Sequence, residues 1–566
     1  MDSFSVLVGG KAGDGIAEAG RMIAYLLNRL GYRLYEHIDS PSLIRGGHTF
    51  VIIRAHGRRI GAHQDRVNVL IALDSTTVEA HSWRLKGDHV TLYDADSVTA
   101  ESLPPDTAGH RAGVALRSVL ADLGAPTVMR NAAVLGALCR TLGIPWLLLE
   151  DVVRRHQPKQ TDLNVMVARR GYDAVGERLK VHPVEGASLP IVTGLQAAGL
   201  GLLSGGLKAY VGYPMTPSSG LLHFLAEQAL RFELKVYQPE GEIAAILMAL
   251  GHAAAGERVA VGTSGGGFAL MAEGLSLAGQ AELPLVVMLG QRTGPSTGLP
   301  TYTGQSDLHF AMHAGHGEFP RAVIAPGDAE QMFAWSRLAL DLSWKYQLPV
   351  IVLGDRTLND NSQSYDETSV PALPRLSHSA WDERPMAAEV GRAYLRYLLR
   401  EDGISPFAPF GRSGAIVKVN SYTHDEWGLT TEDPLLTAQM QEKLLHKDRA
   451  MADELARLSL VNVYGDPRSS RAIVTWGSPT GALREIGELA GVRVVQPVVL
   501  RPFPVRQLAD ALVACDRVAV AEMNATGQLA TLMEQHGLPV HTRLSRYNGR
   551  PWAVGELRQH VEEALA

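Results

Sequence analysis

Short apolar runs ending in glycine- or proline-rich turns alternate along the chain with stretches whose apolar residues recur at helical spacing. At the start, residues 4–8 read as a buried strand and Gly9-Gly10-Lys11-Ala12-Gly13-Asp14-Gly15 as the turn after it. Ile16, Ala19, Ile23, Leu26, Leu27 and Leu30 then share one face of a helix over 16–30. A Gly/Ala-rich helix over 194–206, whose small residues imply close packing on a sheet, precedes strands at 208–211, 234–237, 259–262, 285–289 and 349–353. A second such series has strands at 472–476, 492–495 and 518–521 with a helix at 482–489. Strands alternating with helices predict α/β domains with parallel sheets.

The pattern weakens between these series. Residues 181–190 read as an extended linker, and 359–385 as a polar, Pro/Ser-rich excursion. An amphipathic helix is expected over 387–400, and a Lys- and Glu-rich helix over 440–458 reads as a solvated charged element. The expected division is 1–180, 190–358, a linker with a helix over 359–410, and 411–566. A chain of 566 residues is too long for one core.

Candidate chemistry gathers at strand ends, where open parallel sheets bind ligands. Tyr213-Pro214-Met215-Thr216-Pro217-Ser218-Ser219 ends one strand, and Gln238-Pro239-Glu240-Gly241-Glu242 ends the next. The prolines stiffen the first corner, and Thr216, Ser218 and Ser219 bring hydroxyls to a helix start; N-capping is the plainer use of those serines. Glu240 and Glu242 are expected in a first helical turn, which suits acidic residues in any case. Thr263-Ser264-Gly265-Gly266-Gly267 follows a third strand, and its glycines allow close approach of backbone to a ligand ring or a neighbouring helix. Arg292 follows a fourth, with Pro295-Ser296-Thr297-Gly298 beyond it. Its planar fork suits a carboxylate, or a plain ion pair at the rim.

In the first domain, Gly13 and Gly15 could bring backbone N–H groups to a phosphate, or could simply make a tight turn. Arg45, in Arg45-Gly46-Gly47-His48, suits phosphate or carboxylate recognition, or a solvated loop. Gly13-Asp14-Gly15 opens like a magnesium–diphosphate motif, but Asn28 comes too early to be the second ligand, so that reading is rejected. His309, His313 and His316 fall at helical spacing without the Glu of a zinc hydrolase motif; loop packing is favoured over metal.

Gly212-Tyr-Pro-Met-Thr-Pro-Ser-Ser219, Glu240 and Gln291-Arg292-Thr-Gly-Pro-Ser-Thr-Gly298 together resemble the pyrimidine-binding domain of 2-oxoacid:ferredoxin oxidoreductase alpha subunits. Gly9–Gly15, Ser40–His48 and Asn131–Gly136 resemble that family's gamma domain, here fused ahead of the alpha domain, and Arg501-Pro-Phe-Pro504 to Gln528 resembles its transketolase C-terminal-like domain. The resemblance implies a multidomain α/β fold: a Rossmann-like gamma domain, a thiamine diphosphate pyrimidine-binding domain and the transketolase-like domain. It implies oxidative decarboxylation of a 2-oxoacid to an acyl-CoA, with 2-oxoglutarate favoured and pyruvate or branched-chain oxoacids as alternatives. Within it, Glu240 would act on the aminopyrimidine of thiamine diphosphate, with Pro214, Gly265 and Gly266 beside the cofactor. Thr216, Ser218, Arg292 and Thr297 would bind the substrate, and Gly13, Gly15 and Arg45 would bind CoA. Magnesium and the iron–sulfur cluster would belong to a beta subunit, in a heterodimer or a dimer of heterodimers, with ferredoxin as acceptor. The family's early Asn-Glu pair is replaced by Leu195-Gln196, so no role is assigned to that turn.

Composition narrows the field. Two cysteines, Cys139 and Cys515, cannot supply the four thiolates of a cubane cluster. A net charge of −6 gives no footprint for nucleic acid, and no apolar run is long enough for a membrane span. No signal peptide pattern is visible at the N-terminus, so a cytoplasmic protein is expected. Two other functions compete: a self-contained thiamine decarboxylase, opposed by the missing magnesium motif, and a non-catalytic CoA- or nucleotide-binding scaffold, supported only by the glycine turn.

Overall fold

The computed structural model describes residues 3–41, 46–103, 109–380 and 394–566. They divide into two compact units. The first comprises Met1–Val192, Asn361–Asp366 and Trp552–His560, and the second Thr193–Asp360, Glu367–Pro551 and Val561–Ala566.

The first unit is built on a mixed sheet of eight strands in the order His110–Val114, Leu85–Asp94, Val67–Ala72, Ser3–Lys11, His48–His56, Arg33–Asp39, Ser362–Ser364, Ile191–Thr193. Ser3–Lys11 pairs in parallel with Val67–Ala72 but antiparallel with His48–His56. The helix Ile16–Arg29 lays Ile16, Ile23, Leu26 and Leu27 onto the sheet, as their spacing predicts. Fully burying each such side chain stabilises by about 1.5–3 kcal/mol.

The second unit holds a seven-stranded sheet in the order Val499–Arg501, Ala322–Ile324, Pro349–Asp355, Leu285–Gln291, Val259–Ser264, Ala209–Gly212, Lys235–Tyr237. All pairs are parallel except the edge pair with Val499–Arg501. Leu285–Gln291 and Pro349–Asp355 are buried at every position, which is why they read as continuous apolar runs. The helix Gly194–Ser204 is closed by a capping box in which Thr193 and Gln196 bond reciprocally, at 3.0 and 3.1 Å, so Gln196 has a structural task. Gly201 of that helix lies against the backbone carbonyl of Phe333, an approach that any side chain would block.

The same unit carries a five-stranded sheet in the order Val461–Gly465, Arg493–Pro497, Arg471–Thr475, Arg517–Glu522, Thr542–Ser545. Its core is continuous with that of the seven-stranded sheet: Trp476, Leu500, Leu508 and Leu529 belong to one cluster with Val261, Val287 and Leu353. Two expectations change here. Residues 394–400 are not helical, and the rest of the helix expected over 387–400 lies outside the described residues. The charged helix, Pro434–Leu455, is not simply solvated: it buries Met440, Lys443, Lys447, Met451 and Leu455 as one stripe.

Candidate active site

Four neighbouring strands of the seven-stranded sheet end in the corners singled out above. After Ala209–Gly212, the turn at Thr216–Ser218 is braced from inside: the Ser218 amide and hydroxyl both donate to the Met215 carbonyl, at 2.8 and 2.9 Å. Ser218 is buried and makes no side-chain cap, so its hydroxyl shapes the turn. Thr216 is half-buried and Pro214 exposed. Arg292, at the end of Leu285–Gln291, donates from Nη1 to the Thr216 carbonyl at 3.0 Å. The structure therefore brings Thr216 and Arg292 together, while Thr297 is exposed on the turn beyond.

The second corner differs from expectation. Glu240 is exposed and lies outside the helix, which has Gly241 as N-cap and begins at Glu242. The buried carboxylate is that of Glu242, only 5% exposed, with Oε1 lacking any hydrogen-bond partner. An orphaned buried carboxylate oxygen is costly and marks a place where a partner is missing. Its neighbour is Gly267: a Cβ there would stand 2.6 Å from Glu242 Oε1 and would also strike the Thr263 hydroxyl. Gly267 thus lets the third corner close over the carboxylate. Gly266 is exposed with open space around it. Gly265 serves another carboxylate, since a Cβ at that position would stand 2.9 Å from both oxygens of Asp307.

Asp307 was not among the residues picked out by sequence. It is half-buried, and burial pushes its carboxyl up to about 6, opposed by the charge of Arg292. Burial lowers Arg292 in turn, and Asp307 partly offsets this. The two form no ion pair within 4 Å, so both keep capacity for a third group.

The loop joining Arg292 to Asp307 is held by the C-terminal part of the chain. Thr303 donates its hydroxyl to Asp355 at 3.3 Å, and Thr293 donates to the Thr303 carbonyl at 2.8 Å. Gln305 exchanges bonds with Met523, both at 2.8 Å, and its carbonyl accepts from Asn524 at 3.1 Å. His309 bonds Gln528 through both its amide and its ring. The residues 522–528 therefore position the active loop within one chain, a task that no spacing in the sequence announces. Among the described residues no group of three or more potential ligands could hold a metal.

In the first unit, Gly13 and Gly15 have φ of 96° and 73°. Asn131 donates to the carbonyls of Asp14 and Gly15 at 3.2 and 3.1 Å, and Arg130 pairs with Asp14. The glycine turn and the Asn131 segment are thus one construction, with open space beside Gly13. Arg45 lies outside the described residues.

The strand ends of this parallel sheet gather a buried carboxylate with an unpartnered oxygen and a half-buried arginine, an arrangement compatible with a thiamine diphosphate-dependent α/β enzyme. Family models agree: "Pyruvate flavodoxin/ferredoxin oxidoreductase, thiamine diP-bdg" matches residues 201–443, and "Pyruvate ferredoxin/flavodoxin oxidoreductase" matches 5–174. The 2-oxoacid:ferredoxin oxidoreductase subunit alpha of Sulfolobus sp is 31% identical over 99% of this chain and 96% of that protein. The 2-oxoglutarate oxidoreductase subunit KorA of Mycobacterium tuberculosis is 27% identical over 100% of this chain and 92% of that protein. Among solved structures, the 2-oxoglutarate:ferredoxin oxidoreductase from Magnetococcus marinus, with 2-oxoglutarate, coenzyme A and succinyl-CoA bound, superposes with a TM-score of 0.88 at 27% identity, each chain covered over 100%. The chain belongs to the family of 2-oxoacid:ferredoxin oxidoreductase alpha subunits. It is an oxidoreductase subunit with a thiamine diphosphate-binding domain, as the motifs implied.

Proposed function

We propose that this chain acts with a beta subunit to decarboxylate a 2-oxoacid oxidatively to its acyl-CoA, with 2-oxoglutarate the favoured substrate and ferredoxin the electron acceptor. The observation that carries the reading is the buried Glu242 carboxylate with an unpartnered oxygen, one strand end away from the Thr216–Arg292 pair. The unpartnered Glu242 oxygen is the acceptor that a ring nitrogen of the cofactor would satisfy, so the residues present fit the cofactor. Thiamine diphosphate, when bound, supplies the nucleophilic carbon that attacks the 2-oxo carbonyl and holds the charge left as carbon dioxide departs.

The chain's own residues have distinct tasks. Glu242, in preference to the exposed Glu240, shares a proton with the cofactor's aminopyrimidine. Arg292 orients the substrate carboxylate beside Thr216, and its remaining N–H groups are free for that fork-to-fork contact. Asp307, titrating near 6, stands where it can hold or release a proton close to Arg292. Ser218 and Gly265 shape the walls. The glycine turn at Gly13 and Gly15 remains our candidate for the CoA diphosphate.

Magnesium, the diphosphate grip and the cluster fall to the beta subunit, because this chain's two cysteines cannot ligate a cubane. A surface for that subunit is available beside the site. The helix Glu242–Ala254 is apolar all round, yet Ile243, Leu247 and Met248 are exposed, as are Tyr237 and Leu270 nearby. Seating the beta subunit there would cover this patch. Among the described residues no helix is long and apolar enough to cross a membrane, and we place the complex in the cytoplasm.

The test is co-expression with a beta subunit of this family. A brown complex should form and reduce ferredoxin with 2-oxoglutarate only when CoA is present. A complex loaded with thiamine diphosphate that reduces no ferredoxin with 2-oxoglutarate, pyruvate or branched-chain oxoacids would overturn the reading.

A further inference from the structure

A second, separate cavity lies in the same unit. It measures about 290 Å³, near the lower end of small-molecule sites, and is bounded by the segment Met312–Arg321, the edge strand Val499–Arg501 and the helix Pro434–Leu455. Two arginines line it from paired strands: Arg321 directly precedes Ala322–Ile324, and Arg501 sits opposite Val323 in the register. Arg321 is only 3% exposed. Its Nη1 donates to the Ala314 carbonyl, its guanidinium lies 4.2 Å over the Phe319 ring, and its Nε has no partner. Arg501 spends one N–H on the Met312 carbonyl at 2.7 Å.

Neither arginine forms an ion pair with any described carboxylate. Asp448 and Glu318 border the cavity, but beyond ion-pair reach. Burial and the nearby Arg501 push the Arg321 guanidinium down to about 10, with Asp448 partly offsetting them, and burial together with both arginines lowers the His313 imidazole on the same wall. Two like charges close together, with donors unused and one buried donor orphaned, are stabilised by an anion that supplies the missing acceptors, since Asp448 stays beyond ion-pair reach. Arginine pairs of this kind select carboxylate and phosphate, whose oxygens match the fork. Leu444 and Leu445 give the cavity an apolar wall, so the occupant has a carbon body as well as a charged end.

We infer that this cavity is a binding site for a small organic anion, carboxylate or phosphate, held by Arg321 and Arg501 and independent of the catalytic corner. The helix Leu308–His313 starts immediately after Asp307 and ends at this cavity, which gives an occupant a short mechanical path to the active loop.

Thermal unfolding and calorimetric titration of the full chain with succinate, and separately with inorganic phosphate, test this against sodium chloride at matched ionic strength. At least one of the two should bind saturably and raise Tm. Arg501→Gln should weaken that binding about tenfold or more, and Asp448→Asn, which removes the one half-buried negative charge beside the arginines, should tighten it several-fold. Tighter binding of succinate would assign a carboxylate ligand, and tighter binding of phosphate a phosphorylated one. No saturable binding by either probe, or binding unchanged in both Arg501→Gln and Asp448→Asn, would overturn the proposal. Opposite shifts in the two variants cannot come from a general loss of folding.

Discussion

Two groups of charged side chains in the second unit are wired in opposite ways. Around Glu282 the carboxylate is fully engaged: it accepts from Lys443 at 2.5 and 2.6 Å and from Lys447, all three groups are buried, and Arg396 donates to the Glu282 carbonyl at 2.6 Å. At the strand ends the charges are left incomplete. Glu242 keeps an unpartnered oxygen, Asp307 meets no cation within ion-pair reach, and Arg292 bonds only a carbonyl. The pKa values follow. The two lysines hold Glu282 well below the usual carboxylate range despite burial, whereas burial with little compensation lifts Asp307 to about 6. A carboxylate whose oxygens are both engaged by buried lysines belongs to the architecture, whereas one with an oxygen left over has room for a ligand.

Removing the central acceptor should separate the two groups most sharply. Glu282→Gln would leave two buried ammonium groups facing an amide, at a cost of about 3–5 kcal/mol in stability. Denaturant unfolding of the variant measures it, and an unchanged midpoint would mean that the cluster is not a structural keystone.

Asp307→Asn should act in the reverse sense. The folded pKa lies above the ordinary value of 3.8, so the native state binds the proton more tightly and wild-type stability declines as pH rises from about 4 to about 6. The amide escapes that decline. The variant should be more stable than wild type at pH 7 by about 1–3 kcal/mol, given partial exposure, and equal to it below pH 4. Its activity should fall all the same. A destabilised variant at pH 7 would show that Asp307 is paired after all.

Arg292→Lys keeps the charge and loses the fork. We expect about a tenfold drop in kcat/KM, or about 1.4 kcal/mol, for every 2-oxoacid that the complex accepts. A loss confined to one substrate would place Arg292 at the specificity end of the site.

The smallest effect is expected at Lys447. Burial pushes its ammonium down to about 7, and Glu282 only partly offsets this. A base whose folded pKa is depressed costs stability in full below about pH 7, and the cost fades as pH rises toward its ordinary 10.5. Lys447→Met, which leaves the Glu282–Lys443 pair intact, should therefore change stability by less than about 1 kcal/mol at pH 8 and compare better with wild type at pH 6 than at pH 9. The opposite pH trend would mean that Glu282 needs both lysines.

The scaffold of the site was legible because its strands are buried on both faces. Continuous apolar runs such as Leu285–Gln291 end at the residue before the chemistry, and Arg292 follows directly. That Glu242 is the buried carboxylate of the pair was not legible. The two flank Gly241, and which of them the helix buries depends on which residue takes the N-cap, here Gly241, with Glu242 packed close to Gly267. Asp307 lies on an irregular loop whose course is fixed by Met523, Asn524 and Gln528, far away in sequence. The buried lysines did leave a signal. Met440, Lys443, Lys447, Met451 and Leu455 keep helical spacing, and a lysine at a stripe position asks for a buried acid. Reading that helix as solvated weighed its charge above its period.

The proposed chemistry turns on which carboxylate serves the cofactor. The most direct measurement is the turnover of the assembled complex carrying Glu242→Gln or Glu240→Gln, with bound thiamine diphosphate quantified in each. Loss of a proton-sharing carboxylate should lower kcat about 10²–10⁴-fold in Glu242→Gln with the complex still assembled, while Glu240→Gln stays within a few-fold of wild type. A near-normal rate in Glu242→Gln together with a collapse in Glu240→Gln would contradict it, and would return the role to the exposed residue outside the helix.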